Sequence, residues 1–115
     1  MLGIWKPIKT VQRDPLILTD SQSVPDSDFW DICMDETFGP EAKFVASTLA
    51  AEKVTGSHRW HYWSDMTPEE VIVFKHFDTK QDNGAWRCAH ASMEIPGTEH
   101  LPARESVDVR ALVGF

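Results

Sequence analysis

Five residues in the C-terminal third have the types and spacing that chemistry needs. His76 and Asp78 stand two apart in "VIVFKHFDT", His90 lies inside "CAHASMEIP", and Arg104 and Ser106 form an Arg-x-Ser in "ARESVDVRALVGF". Two imidazoles and one carboxylate are the ligand set of a non-haem iron site. Between the two histidines, Asn83-Gly84 supplies the positive φ angles of a tight hairpin turn. A turn centred near Asn83 puts His76 opposite His90, and strand alternation then places His76, Asp78 and His90 on one face. A one-residue shift in register would move one strand's set to the other face. The second reading therefore stays open: His76 as a solvated residue and Asp78 as a carboxylate closing the strand.

Arg104 at a strand start can hold a carboxylate by two parallel hydrogen bonds, and the Ser106 hydroxyl, two residues on, points the same way to add a third. A surface Arg paired with Glu94, Glu99 or Glu105 fits the same spacing. Cys88 and Ser92 bracket His90 on its own face and leave room for a ligand beside an imidazole that titrates near neutral pH. The run "HRWHYW" brings Trp60, His61, Tyr62 and Trp63 together, and with Trp86 these aromatics either line an apolar ligand pocket or form core.

The elements that must position these residues read as strands. "PLILTD" from Pro15 to Asp20 is a short strand ending in a polar turn, and "SQSVPDSDFWD" is a loop or a capped short helix. "AKFVASTLAAEKV" alternates like a strand at Phe44, Ala46 and Thr48 and turns Ala-rich like a helix at its end. "SHRWHYWSD" is a strand with Arg59, His61 and Trp63 on one face and Trp60 and Tyr62 on the other. Thr67, Pro68, Glu69 and Glu70 carry a helix-start signal for a single turn. "VIVFKHFDT" and "AWRCAHASMEI" form a predicted hairpin, and "RESVDVRALVGF" alternates Val107 and Val109 against Asp108 and Arg110. The sum is one mainly β domain over residues 1–115, of about six or seven strands with short helical segments.

Composition narrows the function classes. The 115 residues carry 18 acidic and 11 basic side chains, a net charge of −7, which argues against nucleic acid and against anionic membrane surfaces. No apolar run approaches a membrane span and no targeting signal is visible. Cys33 and Cys88 read as reduced thiols, so a cytoplasmic location is expected.

From Trp5 onward, the order "WKPIKTVQRDPLILTDSQSV", "HRWHYWSDMTPEEVIVFKHFDT", "AHASMEIP" and "ARESVDVRALVGF" resembles the C-terminal part of a family of fungal and bacterial oxygenases. That family includes gibberellin desaturase and the cephamycin methoxylation protein. The resemblance covers nearly the whole chain. It implies a double-stranded β-helix, a jelly-roll or cupin-like fold, here truncated. It also implies Fe(II) and 2-oxoglutarate acting on secondary metabolites. Carried over by position, His90 matches the distal iron histidine, Arg104 and Ser106 match the residues that grip the far carboxylate of 2-oxoglutarate, and Asp78 matches a recurrent aspartate. The family's first iron histidine and iron aspartate belong to an H-x-D upstream of the Trp-x-Pro segment. The only H-x-D here is His76-Phe77-Asp78, at a different place in the order.

The expectation drawn from this departure is a natural-product tailoring enzyme without a cofactor. It would be a cyclase, isomerase, dehydratase or pericyclase, with His90, Asp78, His61 and Arg104 as its polar set and Trp60, Tyr62, Trp63, Trp86 and Ser106 around a small-molecule metabolite. The alternative is an Fe(II)/2-oxoglutarate hydroxylase or desaturase completed by His76, Asp78 and His90 or by a partner chain; a non-catalytic oxygenase subunit is a third. A homodimer is expected, because half a jelly roll leaves strand edges and a sheet face uncovered.

Overall fold

The computed structural model describes residues 1–33, 45–49, 56–81 and 85–114. Eight strands follow one another among them: β1 (Leu2–Pro7), β2 (Leu16–Thr19), β3 (Phe29–Cys33), β4 (Val45–Leu49), β5 (Trp60–Tyr62), β6 (Ile72–Lys75), β7 (His90–Ser92) and β8 (Ser106–Ala111). They form a sheet of order β6-β1-β8, a sheet of order β5-β2-β7, and the separate pair β3-β4, with every pairing antiparallel. The two helical pieces are single 3-10 turns at Ser21–Ser23 and Asp26–Asp28, the first capped by the Asp20 carboxylate on the Gln22 amide. Among the described residues no helix is long and apolar enough to cross a membrane. The mainly β, jelly-roll architecture expected from the sequence is the one observed.

β1 organises the first sheet. Its even residues bond towards β8 and its odd residues towards β6, as the Ile8 N–H to Glu105 carbonyl (2.8 Å) and the His76 N–H to Met1 carbonyl (3.0 Å) set the phase. Pro7 fits this strand because its missing N–H would point to the β6 side, beyond the start of β6 at Ile72. Gly3 has a steric reason. A Cβ there would lie 2.6 Å from Phe74 Cζ and 2.8 Å from His76 Nε2. The two sheets face each other over a small core of Trp5, Val11, Leu16, Met66 and Phe74, with Leu18, Ile72 and Cys88 packed against it. A buried pair, His58 Nε2 and Asp28 Oδ2 at 2.9 Å, ties the second 3-10 turn to the chain entering β5.

The predicted hairpin between β6 and β7 does not form as a ladder. β6 pairs with β1 and β7 with β2, so the two strands belong to opposite sheets, joined by a Cys88 N–H to Lys75 carbonyl bond of 2.9 Å. Asn83 and Gly84 lie outside the described residues, as does the Ala-rich stretch after β4. The Thr67 signal gives a turn, not a helix. The Glu70 carboxylate accepts from the Thr67 amide (2.8 Å) and hydroxyl (3.1 Å), and the β-branched run that follows continues as β6.

Gly3→Ala is expected to lower stability by about 1–3 kcal/mol, because the new methyl must displace Phe74 or His76 in a packed face. Urea denaturation checks this; an unchanged midpoint would mean that the face is loosely packed.

Candidate functional site

His90 opens β7 opposite Leu18, and Leu18 in turn stands opposite His61 on β5, so His61, Leu18 and His90 make one cross-strand row on the inner face of the second sheet. The His90 ring packs 4.5 Å from Phe74 and 4.8 Å, edge-on, from His76. Its Nδ1 lies 3.1 Å from the Cys88 carbonyl oxygen. A carbonyl only accepts, so Nδ1 carries the hydrogen and Nε2 keeps its lone pair for a ligand. The neighbouring Cys88 thiol is held up by burial, opposed by its contact with the Thr19 carbonyl, and is not a reactive thiolate.

His76 reaches the same place from the other sheet, its ring 4.8 Å from that of His90. Its Nε2 is buried without a hydrogen-bond partner, packed against the backbone of Gly3. Burial pushes its pKa below the usual histidine value, helped by His90 and Arg110 and opposed by Asp108. Asp78 points elsewhere. It is bonded to Lys75 Nζ at 2.6 Å and accepts from the Lys80 amide at 3.0 Å, and these bonds hold its carboxyl below the usual range. The expected ligand set of His76, Asp78 and His90 is thus not assembled. Among the described residues no three His, Cys, Asp or Glu side chains are grouped to hold a metal.

Arg104 is the second centre. Its Nη1 donates to the Asp14 carbonyl and to Ser92 Oγ (3.3 Å), and its guanidinium carbon lies 5.5 Å from the Trp5 ring centroid. It borders a cavity of about 330 Å³ with Arg13, Asp14, Ser92, Glu94 and Ala103. The alternative in which Arg104 pairs with Glu94, Glu99 or Glu105 does not occur among the described residues, although Glu94 borders the same cavity. Glu105 is bonded to Lys9, the Asp14 carboxylate to Arg13 at 2.8 Å, and the Glu99 carboxylate to the Gly97 amide at 3.1 Å. Ser106 shares the Arg104 face of the strand and lies opposite Pro7, half-buried. Ser92 links the two centres: it touches Arg104 and follows His90 by two residues on the same face of β7, a step of roughly 7 Å.

The remaining predicted residues scatter. His61, Tyr62 and Trp63 border another cavity, of about 510 Å³, with Leu18, Met66, Glu70 and Val71 to Val73. His61 lies two strands from His90, roughly 10 Å away, so the four expected catalytic residues do not form one set. Trp60 alternates to the outer face and borders neither cavity. Trp86 is taken up structurally: its Nε1 donates to Asp26 (3.1 Å), it meets Phe77 edge-on at 5.6 Å, and Arg87 stacks between it and Phe29. The sequence reading missed Trp5 beneath Arg104 and the Met66 and Ile72 walls of the larger cavity. The first lay in a segment not read as a strand, and the others are contributed by a loop and a sheet that meet only in the fold.

Two facing antiparallel sheets, with one histidine presenting a free ring nitrogen and an arginine bonded to no carboxylate among the described residues, define a jelly-roll domain of oxygenase type. The chain belongs to the family described as oxidoreductase/YMDC permease-like domain, whose match runs over residues 1–114. It is 39% identical over its whole length to the alpha-ketoglutarate-dependent dioxygenase phiK of a fungal species, and 35% identical over 98% of its length to the hydroxylase/desaturase efuI of Hormonema carpetanum. It covers 41% and 40% of those two proteins, so it spans about two fifths of the relatives it matches. In structure it resembles the iron and alpha-ketoglutarate-dependent endoperoxidase NvfI, with a TM-score of 0.74 and 23% identity over 93% of this chain and 38% of that one. The expectation of a protein without a cofactor is overturned by phiK, which is alpha-ketoglutarate-dependent, and by NvfI, which depends on iron and alpha-ketoglutarate.

His76 should make stability acid-sensitive. Its folded pKa is depressed, so above about pH 6.5 it is neutral in both states. Below that value the unfolded chain takes up a proton that the folded one refuses, and stability falls. His76→Gln is expected to flatten the loss of urea stability between about pH 6.5 and pH 5. An unchanged slope would assign the effect to another group.

Proposed function

We propose that this chain carries the 2-oxoglutarate-gripping part of an iron-dependent oxygenase that hydroxylates or desaturates a natural product. The observation behind the reading is Arg104: a guanidinium on a cavity wall, without a carboxylate partner among the described residues, in contact with Ser92, which lies two residues along β7 from a histidine with a free ring nitrogen. Nη1 is spent on protein acceptors, and among the described residues Nε and Nη2 have none. That edge of the guanidinium suits a carboxylate held by two parallel hydrogen bonds, with the Ser106 hydroxyl as a third donor. A five-carbon diacid gripped there has the length to bring its other end towards His90.

The fit to iron is partial. His90 Nε2 is a suitable ligand, but Asp78 is bonded to Lys75 and the described residues group no three ligands, so further ligands must come from outside them. When iron and 2-oxoglutarate are bound, such a site supplies a two-electron oxidation. The chain's own contribution is to hold the diacid, orient one imidazole and receive the substrate. The larger cavity, walled by Leu18, Tyr62, Trp63, Met66, Ile72 and Val73, suits an apolar metabolite body, with the exposed His61 at its rim to accept or donate a hydrogen bond. The cyclase or isomerase reading has no counterpart in the relatives' names, whereas hydroxylase, desaturase and dioxygenase recur.

Titration of the chain with 2-oxoglutarate, followed by Trp fluorescence, tests the grip. Arg104→Lys is expected to weaken binding about tenfold or more, because an ammonium cannot make the two parallel bonds. Absence of saturable binding at millimolar concentrations, or full affinity in Arg104→Lys, would defeat the reading.

A further inference from the structure

The six-residue strand β8 is bonded on one side only. Its phase against β1 turns the backbone groups of Val107, Val109 and Ala111 towards β1 and leaves those of Ser106, Asp108 and Arg110 facing outward, and no described strand pairs with that edge. Open edges of this kind invite another strand. Asp108 and Arg110 are exposed, carry opposite charge two residues apart on the same face, and have no hydrogen-bond or ion-pair partner among the described residues.

We propose that β8 pairs antiparallel with β8 of a second copy, about a two-fold axis at Val109. The register centred on Val109 meets two constraints and is the one that opposes Asp108 to Arg110. Outward-facing backbone groups must meet each other, so even-numbered residues must oppose even-numbered residues. Of the registers that satisfy this, centring on Asp108 sets Asp108 against itself and centring on Arg110 sets Arg110 against itself, both like-charge contacts that oppose pairing. Centring on Val109 sets each Asp108 against the other copy's Arg110, with two backbone-bonded, oppositely charged pairs. It also places Val109 against Val109 and Val107 against Ala111 on the other face. That face is already apolar and open: Val73, Ile4 and Val109 form a cross-strand row, with Val73 56% and Val109 51% exposed. Pairing continues the row across the axis into one six-stranded sheet. An edge can be paired once, so the second copy and any other strand extending this sheet exclude one another. The proposal uses the backbone edge of β8, the Asp108 and Arg110 side chains on its Trp5 face and the valines on its outer face, and it does not rest on the reading of Arg104.

Sedimentation velocity over a concentration series tests it, with a dimer expected at micromolar concentration. Asp108→Arg and Arg110→Asp are each expected to weaken association about tenfold by creating like-charge contacts, and the double exchange to restore it. Amide hydrogen exchange gives a second readout that does not depend on the variants. The Asp108 and Arg110 amides should gain protection with concentration, while those of Val107 and Val109 are protected throughout. A monomer at every concentration, association indifferent to both exchanges, or fast exchange at Asp108 and Arg110 at high concentration would overturn the proposal.

Discussion

The pairing of β1 with β6 on one side and β8 on the other is the constraint on which the rest depends. It sets the phase of three strands at once, and therefore decides which side chains look inward. Trp5 enters the core because its neighbours on both sides are held by that register, and Phe74 enters with it. The cost falls at Gly3, where the inner face has no room for a side chain. The space Gly3 leaves is taken by Phe74 and His76. Phe74 in turn lies within 4.5 Å of the His90 ring, so a backbone register in one sheet fixes the surroundings of an imidazole in the other.

The same logic explains what the sequence revealed and what it concealed. β2 and β8 were readable because their apolar residues are bounded by polar turns or alternate cleanly, which is how strands with one buried face look. β1 was not, although it is the central strand, because Gly3, Lys6 and Pro7 are residues that local reading assigns to turns. Each is tolerated for a reason that exists only in three dimensions: a crowded face, an exposed position, and an N–H that would have no partner. The nearness of His76 and His90 was inferred from a hairpin, and the rings are indeed 4.8 Å apart, but they meet edge-on between two sheets. The difference matters chemically. A ladder would have presented both imidazoles and Asp78 to one cavity, whereas the sandwich buries one ring nitrogen of His76 against β1 and leaves Asp78 to Lys75.

Strand alternation predicted the shared face of Arg104 and Ser106, but not why Arg104 stays free. Nor could it tell that His61 and His90, both inward, would be kept apart by Leu18 between them. Such facts depend on which strands are neighbours. Spacing within one strand carries no information about that, and the family resemblance implied a jelly roll without saying which of these strands are neighbours.

The freedom of Arg104 is maintained against the electrostatic balance of the chain. With 18 acidic and 11 basic residues, an arginine is more readily neutralised here than left without a carboxylate. Two of the nearby acids are claimed by other cations, and Glu94, on the wall of the same cavity, makes no ion pair with Arg104 among the described residues. Asp14 presents its carbonyl to Arg104 but turns its carboxylate to Arg13. Glu105, adjacent in sequence, points to the other side of its strand and meets Lys9. Trp5 fills the space beneath the guanidinium, where a cation is favoured over the ring face and another carboxylate cannot enter. Arg13 is itself anchored by the carbonyls of Glu99 and Leu101, so it holds the Asp14 carboxylate from a fixed position. A carboxylate arriving from solution therefore does not have to displace an internal one. The cation is already oriented by the Asp14 carbonyl and Ser92, and much of the ordering that binding would require is complete before the ligand arrives.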